Sequence, residues 1–129
     1  PRLNRAVAHC FTGQGHELAD YVERGLYIGI TGWICDERRG QHLVDLIPKI
    51  PADRLMIETD APYLLPRTIR PRPKSRRNEP RYLPEVLRVV ADAAGKSESQ
   101  IAGATTENAE RFFDLPRANT AIKSTSEVV

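Results

Sequence analysis

Apolar positions along this chain follow two alternating periods, and that alternation predicts the architecture. Positions 5–11 (RAVAHCF) read as a short buried strand, with Val7, His9 and Phe11 on one face and Ala6, Ala8 and Cys10 on the other. The TGQG run at 12–15 breaks it. Leu18, Tyr21 and Val22 then fall at helical spacing over 16–24, and Gly25 supplies the stop. Positions 26–30 (LYIGI) return to strand character, and a polar loop at 33–40 follows. Leu43, Leu46, Ile47 and Ile50 form one helical stripe over 41–50, ended by Pro51. A third strand begins at Leu55. Strand, helix, strand, helix, strand with short connections predicts parallel strands in an α/β fold.

Beyond that strand the pattern changes. Positions 61–80 are long, basic and rich in proline, with no hydrophobic period, as functional or unstructured loops are. Leu83, Val86, Leu87, Val90 and Ala94 make the apolar face of a helix with Pro84 in its first turn and Gly95 at its end. SESQ at 97–100 has the form of a capping box opening another helix. Positions 105–113 are also helical, with Ala109, Phe112 and Phe113 as packing residues. The sequence divides into one unit over 1–116 and a patternless tail at 117–129, expected to be mobile.

Candidate chemistry collects at the strand ends. In LMIETDAPYL (55–64), alternation places Met56, Glu58 and Asp60 on one face. Two acids ending a buried strand are costly without a cation or hydrogen bonds, or else they mark a strand fraying into a solvated loop. His9 holds the same position on the first strand. In parallel α/β folds ligands gather beyond the carboxyl ends of the strands, and an imidazole with a carboxylate suits a divalent ion. His16 and His42 read as surface residues. Trp33 is either a base-stacking platform or the cap of an apolar rim. Cys35 has no neighbouring base to mark a nucleophile.

Composition bounds these readings. The 129 residues suffice for one domain with a core, and no apolar run approaches the ~20 residues of a membrane span. No signal-peptide pattern is present, and two cysteines without metal-type spacing fit reduced thiols in a cytoplasmic protein. The chain opens on Pro1, which reads as a processing boundary or a cut in a longer chain. Net charge is only +2, yet Arg67, Arg70, Arg72, Lys74, Arg76, Arg77 and Arg81 face a single acid, Glu79, between 67 and 81. That segment carries 7 − 1 = +6 and the remainder −4. Such a loop binds phosphates locally or is a solvated charge run.

Four blocks, VAHCFTG (7–13), YIGITGWICDERRG (27–40), LMIETDAPYLLP (55–66) and SRRNEPRYLP (75–84), resemble consecutive signatures of the TatD family of metal-dependent deoxyribonucleases. The resemblance covers about residues 5 to 116 in order, far more than a lone short motif. It implies an α/β fold, a partial (β/α)8 TIM barrel of the amidohydrolase type comprising the last three strands and following helices. It makes His9 and Asp60 metal ligands, with Glu58 beside Asp60 in the catalytic Glu-Thr-Asp motif. It also places Arg77, Asn78, Glu79 and Pro80 in the family's Arg-Asn-Glu-Pro loop. With Trp33 and Arg76, the residues Arg77, Asn78 and Glu79 are the expected substrate contacts. The implied cofactors are divalent ions (Mg, Mn or Zn), two in the complete barrel.

A full barrel needs roughly 250 residues, and the family's His-x-His pair, fourth-strand Glu and fifth-strand His are absent here. The chain therefore resembles the C-terminal half of a family member: a fragment, a truncated reading frame, or one piece of a split protein. Open sheet edges predict pairing with the missing N-terminal half-barrel or with another copy of this chain. The implied activity is metal-dependent hydrolysis of DNA phosphodiesters, with the DNA backbone as partner and no membrane. The alternative is an inactive nucleic-acid- or partner-binding remnant, and amide or lactone hydrolysis on the same scaffold is a third reading.

Overall fold

The computed structural model describes residues 4–117, and the tail expected at 117–129 lies outside them beyond Arg117. Strands β1 (Val7–Ala8), β2 (Tyr27–Ile30) and β3 (Leu55–Ile57) form one parallel sheet in the order β1-β2-β3. Helix α1 (Gly15–Glu23) joins β1 to β2. Helix α2 (Gln41–Leu46) and the 3-10 turn Ile47–Lys49 lead toward β3. Helices α3 (Leu83–Ala94) and α4 (Glu98–Phe113) follow the basic loop.

β2 occupies the centre, with Val7 opposite Tyr27 on one side and Gly29 opposite Met56 on the other. All four of its residues are buried, as expected of a strand paired along both edges and covered on both faces. Ile28, Leu43, Val86 and Val90 are at most 1% exposed and tie the sheet to α2 and α3. Each such side chain contributes about 1.5–3 kcal/mol by leaving water. The stripe Leu43, Leu46, Ile47 and Ile50 is buried as its spacing predicts.

The outer strands are shorter than the sequence pattern. Pairing hydrogen bonds still run from Tyr27 N to Ala6 O and from Phe11 N to Gly29 O, both 2.9 Å. Between them, however, Cys10 takes φ 49°, a left-handed backbone that few residues with a Cβ adopt. Alternation ends there. Val7 and His9 line one cavity, while Phe11 leaves their expected shared face for the core and meets Tyr21 edge-on at 6.0 Å. β3 stops at Ile57 rather than continuing to Asp60, whose own φ is 56°. Glu58 crosses from β3 over Gly29 of β2, and a Cβ at Gly29 would collide with its carboxylate.

Two further departures concern polar groups. The expected polar loop at 33–40 begins instead with a 3-10 turn, Gly32–Cys35, whose N-cap Thr31 accepts from Trp33 N at 3.3 Å. That turn buries Ile34, Cys35 and, just past it, Asp36. α4 is one continuous helix capped by Ser97, whose Oγ accepts from Gln100 N at 3.1 Å. Its buried face is Ile101, Thr105 and Asn108. The Asn108 amide donates to the carbonyls of Ala52 and Leu55, each at 2.8 Å, fixing the helix against the start of β3. Phe112 packs edge-on against Tyr27 at 5.1 Å, but Phe113, expected in the core, is 61% exposed. Among the described residues no helix is long and apolar enough to cross a membrane.

Asn108→Ala leaves the buried Leu55 carbonyl and the part-buried Ala52 carbonyl without this donor and is expected to cost about 1–3 kcal/mol, read as a lower urea midpoint at unchanged slope. Gly29→Ala overpacks the crossing point of Glu58 and is expected to cost about 1–3 kcal/mol. Its second signature is a change at His9, seen as altered imidazole resonances by NMR, which Asn108→Ala does not produce.

Candidate functional site

His9 follows β1 directly and Asp60 lies three residues beyond β3, so both stand at the carboxyl edge of the sheet. The imidazole is held from one side. Its Nδ1 donates to Glu58 Oε2, and Glu58 Oε1 accepts from the Cys10 N–H at 3.0 Å. One carboxylate thus fixes both the side chain of His9 and the left-handed residue that follows it. With Nδ1 engaged, Nε2 faces Asp60 Oδ1 at 3.7 Å. A carboxylate on one ring nitrogen that presents the other is the usual way of orienting a metal-ligating histidine. The His9 and Asp60 side chains are 58% and 38% exposed, so an ion and water both have access.

The donor chemistry fits a divalent ion but does not enclose one. Among the described residues no group of three or more His, Cys, Asp or Glu side chains is placed to hold a metal. Cys10 does not supply a third donor. Its thiol lies 3.3 Å from Thr31 Oγ1, and burial pushes its pKa up. Cys35, read as inert, is buried and has its thiol pushed up to about 11 by that burial. His16 is exposed as expected. His42 is half-buried rather than on the surface, with Nε2 donating to Thr12 O at 3.0 Å.

The basic loop leaves directly from Asp60 and returns to its turn at Asn78. Gly32, Trp33, Leu64, Pro66, Arg72 and Arg76 line part of a cavity of about 540 Å³ that also takes in Arg38, Arg39 and Arg67. These arginines are not equivalent. Arg38 and Arg39 both bind the buried Asp36 carboxylate, and Arg38 above all holds it well below the usual carboxylate range. Arg67 forms a two-pronged pair with Glu37, at 2.8 Å between Nη2 and Oε1, and draws that carboxyl down to about 2. Arg81 pairs with Glu79, and Arg70 donates to the carbonyls of Arg67 and Ile69. Arg72, Lys74, Arg76 and Arg77 have side chains with no protein partner among the described residues, so the loop's uncommitted charge is concentrated between 72 and 77.

Two expected substrate contacts turn out to be occupied. Asn78 is 3% exposed, and its amide is fully used: Nδ2 donates to Thr59 O and Tyr63 O at 2.8 Å, and Oδ1 accepts from Glu79 N. Its backbone N–H reaches Pro62 O at 2.9 Å. Asn78 therefore clips the basic loop onto the Asp60 turn, with both amide hydrogens already spent on main-chain carbonyls. Trp33 carries the Arg39 guanidinium over its ring at 4.4 Å, and its Nε1 donates to Arg39 O at 3.3 Å. One of its faces is closed. Sequence reasoning passed over Tyr63, a ring 71% exposed three residues after Asp60. Its signal was an aromatic in a proline-bounded turn just beyond the Asp60 carboxylate.

The model of the TatD related DNase family matches residues 1–114. Proteins described as 3'-5' ssDNA/RNA exonuclease TatD are similar throughout this region. The one from Pectobacterium carotovorum subsp. carotovorum is 58% identical over 114 residues, which are 88% of this chain and 44% of the relative. The one from Citrobacter rodentium is 57% identical over 88% of this chain and 43% of its own length. A TatD homolog from Escherichia coli K12 superposes with a TM-score of 0.73 at 29% identity, covering 86% of this chain and 41% of that one. A TatD family hydrolase from Entamoeba histolytica gives 0.73 at 23% identity, over 84% and 42%. The chain thus spans less than half the length of the curated relatives it matches. The three-stranded parallel sheet with its helices is a partial TIM barrel, and the chain belongs to the TatD related DNase family.

Proposed function

We propose that this chain supplies one part of a metal-dependent hydrolase that cleaves phosphodiesters in strands of DNA or RNA. The observation that carries this reading is His9 Nε2 turned toward Asp60 Oδ1 at 3.7 Å while Glu58 holds Nδ1, beside an arginine-lined cavity. The names of the curated relatives agree with it. His9 and Asp60 would hold the ion (Mg, Mn or Zn, with a second ion in the complete barrel). A divalent ion bound there lowers the pKa of a water and neutralises charge on the phosphate.

The chain's own residues do the remaining work. Glu58 acts as a positioning residue, because both its oxygens are spent on His9 and on the Cys10 N–H. Asp60 is exposed enough for its second oxygen to take a proton from an incoming water. Arg72, Arg76 and Arg77 hold backbone phosphates without reading sequence. Asn78 keeps that loop in register with the rim through the amide clip, while Glu79 pairs locally with Arg81. The rest of the barrel completes the ligand set and covers the free sheet edges, for which an apolar cavity of about 420 Å³ beside Val7, Met56 and α4 offers a seat. The absence of a third ligand among the described residues favours an inactive isolated chain.

Negligible cleavage is therefore expected from the isolated 129-residue chain, and activity with Mg²⁺ or Mn²⁺ from a complete barrel containing it. In that barrel Asp60→Asn should abolish turnover and leave strand binding in place, as read by gel-based cleavage and anisotropy on the same samples. Metal-dependent cleavage by the isolated chain, or full turnover by Asp60→Asn, contradicts these roles. Changing Arg76 and Arg77 together to Ala should flatten the log-affinity against log-salt slope by about 1.4 for a single strand, two phosphates at ~0.7 each. An unchanged slope returns those residues to a solvated charge run.

A further inference from the structure

Besides phosphates, a strand end presents bases, and the chain offers them an aromatic ring that no assigned role uses. Three aromatic rings among the described residues are more than a third exposed: Tyr21 at 37%, Tyr63 at 71% and Phe113 at 61%. Tyr21 meets Phe11 at 6.0 Å, and Phe113 meets Phe112 at 4.8 Å. Tyr63 has no ring contact, cation or side-chain hydrogen bond among the described residues. A bare ring on a loose loop would mean little. This one is mounted on fixed backbone.

The Tyr63 N–H donates to Asp60 O at 2.9 Å, and its carbonyl accepts from the buried Asn78 amide at 2.8 Å. The next two residues, Leu64 and Leu65, already line the arginine cavity. Tyr63 therefore stands on the short turn that links Asp60 to the wall of the cavity lined by the uncommitted Arg72 and Arg76. Fixing the backbone beforehand leaves only two side-chain torsions to order on binding. Trp33, the other candidate platform, has the Arg39 guanidinium over one face.

Building on the hydrolase reading above, we infer that Tyr63 is the stacking platform for a nucleobase of an unpaired strand whose backbone lies between Asp60 and Arg72/Arg76. Stacking suits an aromatic here because every base has a π-face, so the contact is strong without being sequence-specific.

The test uses the complete barrel containing this chain, with metal chelated so that nothing is cleaved, and reads the affinity of a fluorescent oligothymidylate and of its abasic counterpart by anisotropy. Tyr63→Ala should weaken oligothymidylate binding between about 5- and 150-fold and leave the abasic strand unchanged. Tyr63→Phe should bind both as the parent does. Equal loss on both strands, no loss on either, or failure of Phe to restore binding overturns the platform. A ring covered by the remainder of the barrel would instead lower the melting temperature without base dependence, which also overturns it. If Tyr63→Ala does not fold, the unmodified protein decides: an oligonucleotide carrying 5-iodouridine should photocrosslink at Tyr63 by peptide mapping, and a crosslink at Trp33 alone refutes the assignment. Base-dependent binding by a barrel that cleaves nothing when metal is restored would uphold the platform and discard the hydrolase. Cleavage without base-dependent binding would do the reverse.

Discussion

A carboxylate that must cross a strand needs a strand with nothing in its path. Glu58 leaves the end of β3, passes over Gly29 of β2, and engages His9 and the Cys10 N–H at the end of β1. All three strands are thereby joined at their carboxyl ends by one side chain. The cost of placing an acid there is offset because both oxygens are hydrogen-bonded. The same contact fixes which nitrogen of His9 faces Asp60, so packing in the sheet and geometry at the rim have a common origin.

A second constraint works on the loop. Positions 61–80 contain no helix before the turn at Pro80–Tyr82, and a segment that long has no periodic core contact to hold it. It is held instead by a few polar fasteners: the Asn78 amide to Thr59 and Tyr63, Arg67 to Glu37, and Thr68 Oγ1 to Glu85 at 2.6 Å. The two acids of the 36–37 turn take up three arginines, Arg38, Arg39 and Arg67, and Glu79 takes up Arg81, which leaves the loop's positive charge unopposed only between 72 and 77. Charge counted along the sequence therefore overstates the charge a ligand meets, and misplaces where it lies.

The alternation of strands and helices was legible from periodicity alone, since buried stripes such as Leu43, Leu46, Ile47 and Ile50 require it. So was the pairing of His9 with Asp60 on one rim, because parallel strands bring their ends together. What periodicity could not show were the places where backbone leaves the regular regions. Cys10 and Asp60 both sit at positive φ, and each ended a strand earlier than its residue types indicated. Asp36 looked solvated because its neighbours are charged, yet those neighbours are what allow it to be buried. The structural roles of Asn78, read as a substrate contact, and of Asn108 could not be seen in the pattern, because their amide partners lie 15 to 56 residues away in the chain.

The Asn108 contact also bears on how this protein can change. Its amide grips the carbonyls of Ala52 and Leu55, groups that every amino acid possesses. Helix α4 is thus anchored by reading the main chain, not the side chains, of the segment entering β3. Ala52, Asp53 and Arg54 can drift in identity over generations without loosening the helix, provided the backbone keeps its path. Asn108 itself has no such latitude, since few other side chains place two amide hydrogens on two carbonyls at once. Evolutionary tolerance and intolerance are therefore divided unequally across one interface, with freedom on the strand side and restriction on the helix side.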